Sequence, residues 1–126
     1  MKPNKNNKFS LHKRLLSFYY AFRGVYHVFS KEHNAWIHLF ASIVVIAAGL
    51  FFKITAIEWC LIAIAIGIVF ITEMINSAIE RLVDFVSPDY NKNAGIIKDI
   101  AAGAVLVASI TAVVIGILVF WKYFFG

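Results

Sequence analysis

Glu73-Met74-Ile75-Asn76-Ser77-Ala78-Ile79-Glu80-Arg81-Leu82-Val83-Asp84 continues the apolar run Trp59 to Thr72 without a break. At about 100° per residue, Glu73, Asn76, Glu80 and Asp84 fall within roughly an 80° arc of one helical face. A polar stripe is thus laid along a helix that is otherwise of membrane type. A carboxylate facing lipid costs at least ~2.5 kcal/mol on the mildest insertion scale. The stripe must therefore face protein, water or a metal ion, which points to an active site built inside a helix bundle.

Composition sets the surroundings of that stripe. The chain has 126 residues, 61% of them hydrophobic, so it is too short for two domains and too apolar for an ordinary soluble one. Its single cysteine, Cys60, lies in an apolar run, which excludes an intrachain disulfide and a cysteine metal cluster. Three apolar stretches stand out: Ile37 to Phe52, Trp59 to Ile79 and Ile100 to Trp121. A spanning helix needs about 20 mainly apolar residues, so three transmembrane helices are expected, over 35–54, 57–84 and 97–122. The runs are too long for strands, and no ten-residue alternation suggests a barrel. Met1 to Lys8 is polar and no apolar core follows at signal-peptide distance, so no cleavable signal is expected.

Ahead of the first span, Phe9, Leu15, Leu16, Phe18, Tyr19, Phe22, Val25, Tyr26 and Phe29 interleave with His12, Lys13, Arg14, Arg23 and His27. This is the pattern of a cationic helix lying on a membrane surface, expected over 9–31, with Ser10 as N-cap. Seven of the twelve Lys and Arg precede the first span, three lie between the second and third, and Lys53 and Lys122 lie near the opposite side. The positive-inside rule then places the N-terminus and the 81–99 loop in the cytoplasm, and the C-terminus outside. The formal net charge of +5 clusters beside the spans, so no nucleic-acid partner is needed to explain it.

The loop between spans two and three carries a turn signature, Ser87-Pro88-Asp89-Tyr90-Asn91. Lys98-Asp99 then stand at the entrance of the third span, ahead of Ala101-Ala102-Gly103-Ala104. The small-residue run suits close helix packing in lipid, whereas Lys98 opposite an acidic stripe can meet a phosphate. No Walker loop, protein-kinase glycine loop, Gly-x-Ser-x-Gly elbow or HExxH is present, so soluble nucleotide-binding, hydrolase and zinc-protease readings lack their parts. Carboxylates suit magnesium, which is commonly bound by one or two of them together with substrate phosphates. Glu32, Glu80 and Lys98-Asp99 would supply such a site, and Glu73, about two turns before Glu80, could take a proton from a lipid hydroxyl. A proton or cation path along the stripe is a second reading. A basic surface-helix scaffold is a third, but it leaves Glu73 and Glu80 without purpose.

Three segments carry a resemblance: Glu73-x-x-Asn76-Ser77-Ala78-Ile79-Glu80-x-x-Val83-Asp84, Lys98-Asp99-x-Ala101-Ala102-Gly103-Ala104-Val105-Leu106, and Glu32-x-Asn34-x-x-Ile37-His38. Together they resemble the prokaryotic diacylglycerol kinase family, which includes undecaprenol kinases, from about Lys13 to the C-terminus. The resemblance implies an all-α, three-span membrane kinase of the bacterial inner membrane with an N-terminal surface helix. It also implies a homotrimer that uses MgATP to phosphorylate a lipid alcohol at sites shared between subunits.

Carried over by position, the resemblance makes Glu73 the catalytic base and Glu32 and Glu80 the magnesium ligands. It has Asn76 orient groups in the site, and places Lys98, Asp99, Lys13 and Tyr20 near the nucleotide. Lys13 stands where some members have arginine, a role Arg14 could share, and lysine cannot reproduce a bidentate guanidinium contact. Trp36 departs from the family pattern and is assigned to the membrane interface. The Glu32-x-Asn34-x-x-Ile37-His38 and Glu73-Met74-Ile75-Asn76 segments resemble the undecaprenol kinase branch, with diacylglycerol as the alternative acceptor.

Overall fold

The computed structural model describes residues 10–126 and is all helical there: α1 (Leu11–Lys31), α2 (His33–Phe52), α3 (Ala56–Val86) and α4 (Lys92–Phe125). Three of these helices, α2, α3 and α4, are long and apolar enough to cross a membrane. Their large apolar side chains largely point outward: Phe40, Ile64, Leu118 and many others are exposed, as befits a surface solvated by lipid tails.

Helix α1 starts where Ser10 accepts a hydrogen bond from the Lys13 amide, the cap expected from sequence. Position 9, the expected first residue, lies outside the described residues. Nearly all of α1 is exposed and only Val28 is buried, so it packs lightly on the other helices, as a surface helix should. Gly24 does not interrupt it. The chain then turns through one extended residue, Glu32 (φ −110°, ψ 115°), which ends α1 and begins α2. Trp36 Nε1 donates to the Phe29 carbonyl at 2.7 Å, and the Phe29 ring meets both Trp36 and Phe70. The end of α1 is thereby fastened to α2 and α3.

The helix boundaries depart from the expected ones where local chemistry outweighs hydropathy. The first span begins at His33 and ends at Phe52 rather than covering 35–54. Lys53 stops it by adopting a left-handed conformation (φ 54°), and Ile54 turns inward and is buried. Helix α3 begins at Ala56 and runs to Val86, beyond 57–84. Its start is a capping box: Thr55 Oγ1 accepts from the Glu58 amide, while the Thr55 amide donates to Glu58 Oε1. Helix α4 begins at Lys92, five residues before the expected 97, because Asn91 Oδ1 accepts from the amides of Asn93 and Ala94. At 1.5 Å per residue, α3 and α4 reach about 46 and 51 Å, so their polar ends project beyond a hydrocarbon core of about 30 Å.

Helices α3 and α4 form the dominant pairing, an antiparallel hairpin about the turn 87–91. Small residues permit it: Ala65 on α3 and Ala101 and Ala108 on α4 are buried. At the far end, Ile54, Ile62, Val119 and Phe120 form an apolar cluster with Phe52, Trp59 and Tyr123 against it. Gly49 is needed there, since a Cβ at that position would stand 2.6 Å from the Trp59 ring. Glu58 closes the same end, accepting from Tyr123 Oη at 2.6 Å and pairing with Lys122 Nζ at 3.4 Å. The opposite end of the bundle is where α1, the start of α2 and the acidic half of α3 meet.

Candidate active site

The polar stripe on α3 turns inward as its periodicity requires. Glu73 is 2% exposed and Asn76 8%, with Ser77 buried beside them. Glu80, one turn on, is half-buried, and Asp84 is exposed. The stripe thus runs from a buried carboxylate to an open one. Asn76 Nδ2 donates to Glu80 Oε1 at 3.5 Å. Ser77 Oγ donates to Glu32 Oε1 at 3.3 Å, across 45 positions of sequence. Glu32, at the α1–α2 junction, is in this way brought to the turn of α3 that carries Asn76 and Glu80. Glu32, Glu80 and His38 all lie within electrostatic reach of Glu73.

Two atoms in this cluster, Glu73 Oε2 and Asn76 Oδ1, are buried without a hydrogen-bond partner. Leaving a buried polar group unpaired costs roughly 1–3 kcal/mol, so such atoms need an explanation in ligand, ion or water. A hard cation fits the donors present. Glu32 and Glu80 offer half-buried carboxylate oxygens reachable from outside, linked through Ser77 and Asn76. Among the described residues there is no cluster of three or more His, Cys, Asp or Glu that would cage an ion by itself.

The other sequence-derived candidates lie further out. Lys98 forms an ion pair with Asp84 across the α3–α4 hairpin. Asp99, beside it, is exposed about two turns into α4. Lys13 and Tyr20 are exposed on α1, with the Tyr20 ring in edge contact with Tyr19. The structure therefore gathers Glu32, Glu73, Asn76 and Glu80, and leaves Lys13, Tyr20 and Asp99 on open surfaces. Two members of the neighbourhood, Ser77 and His38, stand in the segments that carry the family resemblance but have no role assigned from sequence. Ser77 is adjacent to Asn76 on the stripe, but its partner is revealed only by folding. His38 is five positions from His33, a spacing that carries no metal signature.

The cluster thus sets one buried carboxylate, Glu73, beside two half-buried ones, Glu32 and Glu80. The sequence model of the family described as prokaryotic diacylglycerol kinase matches residues 19–120. The chain belongs to this family. It is a membrane-embedded, ATP-dependent lipid kinase.

Three similar proteins bracket the kinase. A diacylglycerol kinase of Synechocystis is 40% identical over 91% of this chain and 67% of its own length. An undecaprenol kinase of Bacillus subtilis is 34% identical over 93% of this chain and 95% of its own length. A diacylglycerol kinase of Escherichia coli K12 is 38% identical over 64% of this chain and 65% of its own length. The family match runs from Tyr19, in the middle of α1, to Phe120 in α4, and so includes every member of the Glu73 cluster.

Proposed function

We propose that the kinase transfers the γ-phosphoryl group of ATP to undecaprenol, with Glu73 as the general base. The observation that carries this reading is the Glu73 side chain, buried in a membrane helix with one carboxylate oxygen unpartnered. Such an oxygen accepts the proton of a lipid hydroxyl as that hydroxyl attacks the γ-phosphorus. A new P–O bond forms to the lipid oxygen, the bond to the β–γ bridging oxygen breaks, and ADP leaves. General-base assistance of this kind is worth ~10²–10⁴ in rate.

Glu32 and Glu80 would hold magnesium, which when bound neutralises phosphate charge during transfer. Asn76, already directed at Glu80, keeps its carbonyl oxygen for ordering groups in the site. Lys98 and Asp99, about two turns into α4, and Lys13 and Tyr20 on α1 would contact the nucleotide. Their exposed positions accord with a homotrimer in which a neighbouring copy completes each site. The orientation that suits this chemistry has α1 and the 87–91 turn on the cytoplasmic side of a bacterial inner membrane, where ATP is found.

Undecaprenol is favoured by the Glu32-x-Asn34-x-x-Ile37-His38 motif and by the nearly end-to-end match to the undecaprenol kinase. Diacylglycerol is the second reading, supported by the 40% identity to the diacylglycerol kinase of Synechocystis. The test is a panel assay: purified protein in bilayers, MgATP and each alcohol in turn, compared by kcat/KM. A ratio favouring undecaprenol supports the assignment, whereas a ratio favouring diacylglycerol reverses the acceptor. Phosphorylation of neither alcohol would reject both acceptors.

A further inference from the structure

Ile62, Ala65, Val69 and Glu73 recur at three- and four-residue spacing on α3, so a single apolar face leads directly to the buried carboxylate. The first three line a cavity of about 230 Å³ between α2, α3 and α4, whose other walls include Ser42 and Gly116. His38 also lines this cavity, and it is the α2 residue within electrostatic reach of Glu73. Ser42 Oγ donates to the His38 backbone carbonyl at 2.7 Å, a bond that leaves the imidazole uninvolved.

A base must sit within about 2.6–3.2 Å of the proton it removes, so the acceptor hydroxyl has to be held in register with Glu73. Once that hydroxyl donates its proton towards Glu73, its oxygen needs a donor to fix its orientation. Ionised Glu32 and Glu80 are acceptors only, and Asn76 Nδ2 is directed at Glu80. An imidazole carries at least one N–H donor in either protonation state, and His38 lines the cavity whose wall residue Val69 stands one turn before Glu73 on α3.

We propose that His38 is a positioning residue for the lipid acceptor: its ring N–H donates to the acceptor hydroxyl oxygen, and the first stretch of the acceptor's hydrocarbon chain lies in the α2–α3–α4 cavity. This rests on the reading of Glu73 as the base. The occupant is argued from continuity, since the cavity floor and the base share one helical face. Its size adds a constraint. Pockets for whole small molecules hold roughly 300–1,000 Å³, so this one admits the start of a single chain and leaves the remainder in the bilayer. An alcohol with one chain fits better than a glycerol carrying two.

The test compares His38→Phe, which keeps a ring and removes the N–H, with His38→Gln, which keeps a donor. Both are reconstituted in phosphatidylcholine vesicles with undecaprenol and MgATP. His38→Phe is expected to lower kcat/KM for undecaprenol roughly 10- to 100-fold, with KM for ATP within about 2-fold of wild type. His38→Gln should recover most of that loss. A His38→Phe enzyme that matches wild type, a His38→Gln enzyme as impaired as His38→Phe, or an equal rise in KM for ATP would overturn the role.

Should His38→Phe fail to fold, a photoreactive undecaprenol analogue on the wild-type protein decides instead. Labelling at Ser42 or Gly116 that excess undecaprenol suppresses supports the placement. Labelling confined to other faces of the helices, including those buried against a second copy, overturns it. Glu73→Gln assayed in parallel separates the two ideas. Full activity there removes the base, whereas an inactive Glu73→Gln beside an unaffected His38→Phe removes His38 alone.

Discussion

Ser77 on α3 donates a hydrogen bond over 3.3 Å to Oε1 of Glu32, the one extended residue between α1 and α2. The bond joins the end of the surface helix to the middle of the acidic stripe. It converts two distant acidic segments into one cluster: Glu32 from the junction, and Glu73 and Glu80 from the long helix. The proposed site is therefore a property of the fold, even though most of its members come from a single run of twelve residues.

Magnesium dependence tests this joining. Neutralising either proposed ligand, as Glu32→Gln or Glu80→Gln, should raise the magnesium concentration needed for half-maximal activity about 10-fold, as expected for a lost ligand contact of about 1.4 kcal/mol. Ser77→Ala should shift the same titration in the same direction by a smaller factor, because Glu32 keeps its charge but loses its tether. An unchanged titration in both carboxylate variants would remove the metal assignment.

The Lys98–Asp84 pair is a surface pair, with side-chain exposures of 37% and 64%, and contributes about 0–1 kcal/mol to stability. Lys98→Ala should therefore leave thermal unfolding nearly unchanged. It should raise KM for ATP about 10-fold if the ammonium meets a phosphate, since a charge-assisted bond is worth roughly 1.5–3 kcal/mol. Asp84→Asn frees the lysine and should leave KM for ATP near wild type. A matching loss in both variants would mean that the pair itself, rather than Lys98 on phosphate, is what matters.

Much of this arrangement is legible before folding, and the exceptions share a cause. The spans follow from apolar runs, and the inward direction of Glu73 and Asn76 follows from the cost of facing lipid. The ends of the helices were misplaced where a single polar residue sets the boundary: Asn91 starts α4 early, and Lys53 ends α2 before Ile54. Thr55-Ala56-Ile57-Glu58 carries the capping-box pattern that would have marked the start of α3. The partners of Lys98, Ser77 and Glu58 could not be read in advance, because each lies on another element at 14, 45 or 65 positions' separation. Periodicity reports which face a residue occupies, not which helix will meet it.

Packing at the end of the bundle away from Glu73 gives a stability prediction independent of catalysis. Gly49→Ala places a methyl group 2.6 Å from the Trp59 ring. Overpacking of this kind costs about 1–3 kcal/mol, so the thermal midpoint of the detergent-solubilised protein should fall by several degrees. Gly67→Ala, where nothing lies within 4 Å, should leave it unchanged. Equal midpoints for wild type and Gly49→Ala would contradict the described approach of α2 to α3.

Membrane orientation is testable by cysteine labelling in a Cys60→Ala background. Asn91→Cys, in the α3–α4 turn, should react with an impermeant thiol reagent only from the cytoplasmic side, and Gly126→Cys only from outside. The reverse pattern would separate Glu80 and Lys98 from cytoplasmic ATP.

The proposed mechanism requires Glu73 to take the proton of the lipid alcohol. Its most direct measurement is the rate of γ-phosphoryl transfer from MgATP to undecaprenol by wild type and Glu73→Gln, each reconstituted in bilayers with ATP affinity and assembly state checked alongside. Turnover is expected to fall at least about 100-fold in Glu73→Gln while nucleotide binding and assembly persist. Turnover close to wild type, or a loss that accompanies failed assembly rather than failed chemistry, would contradict it.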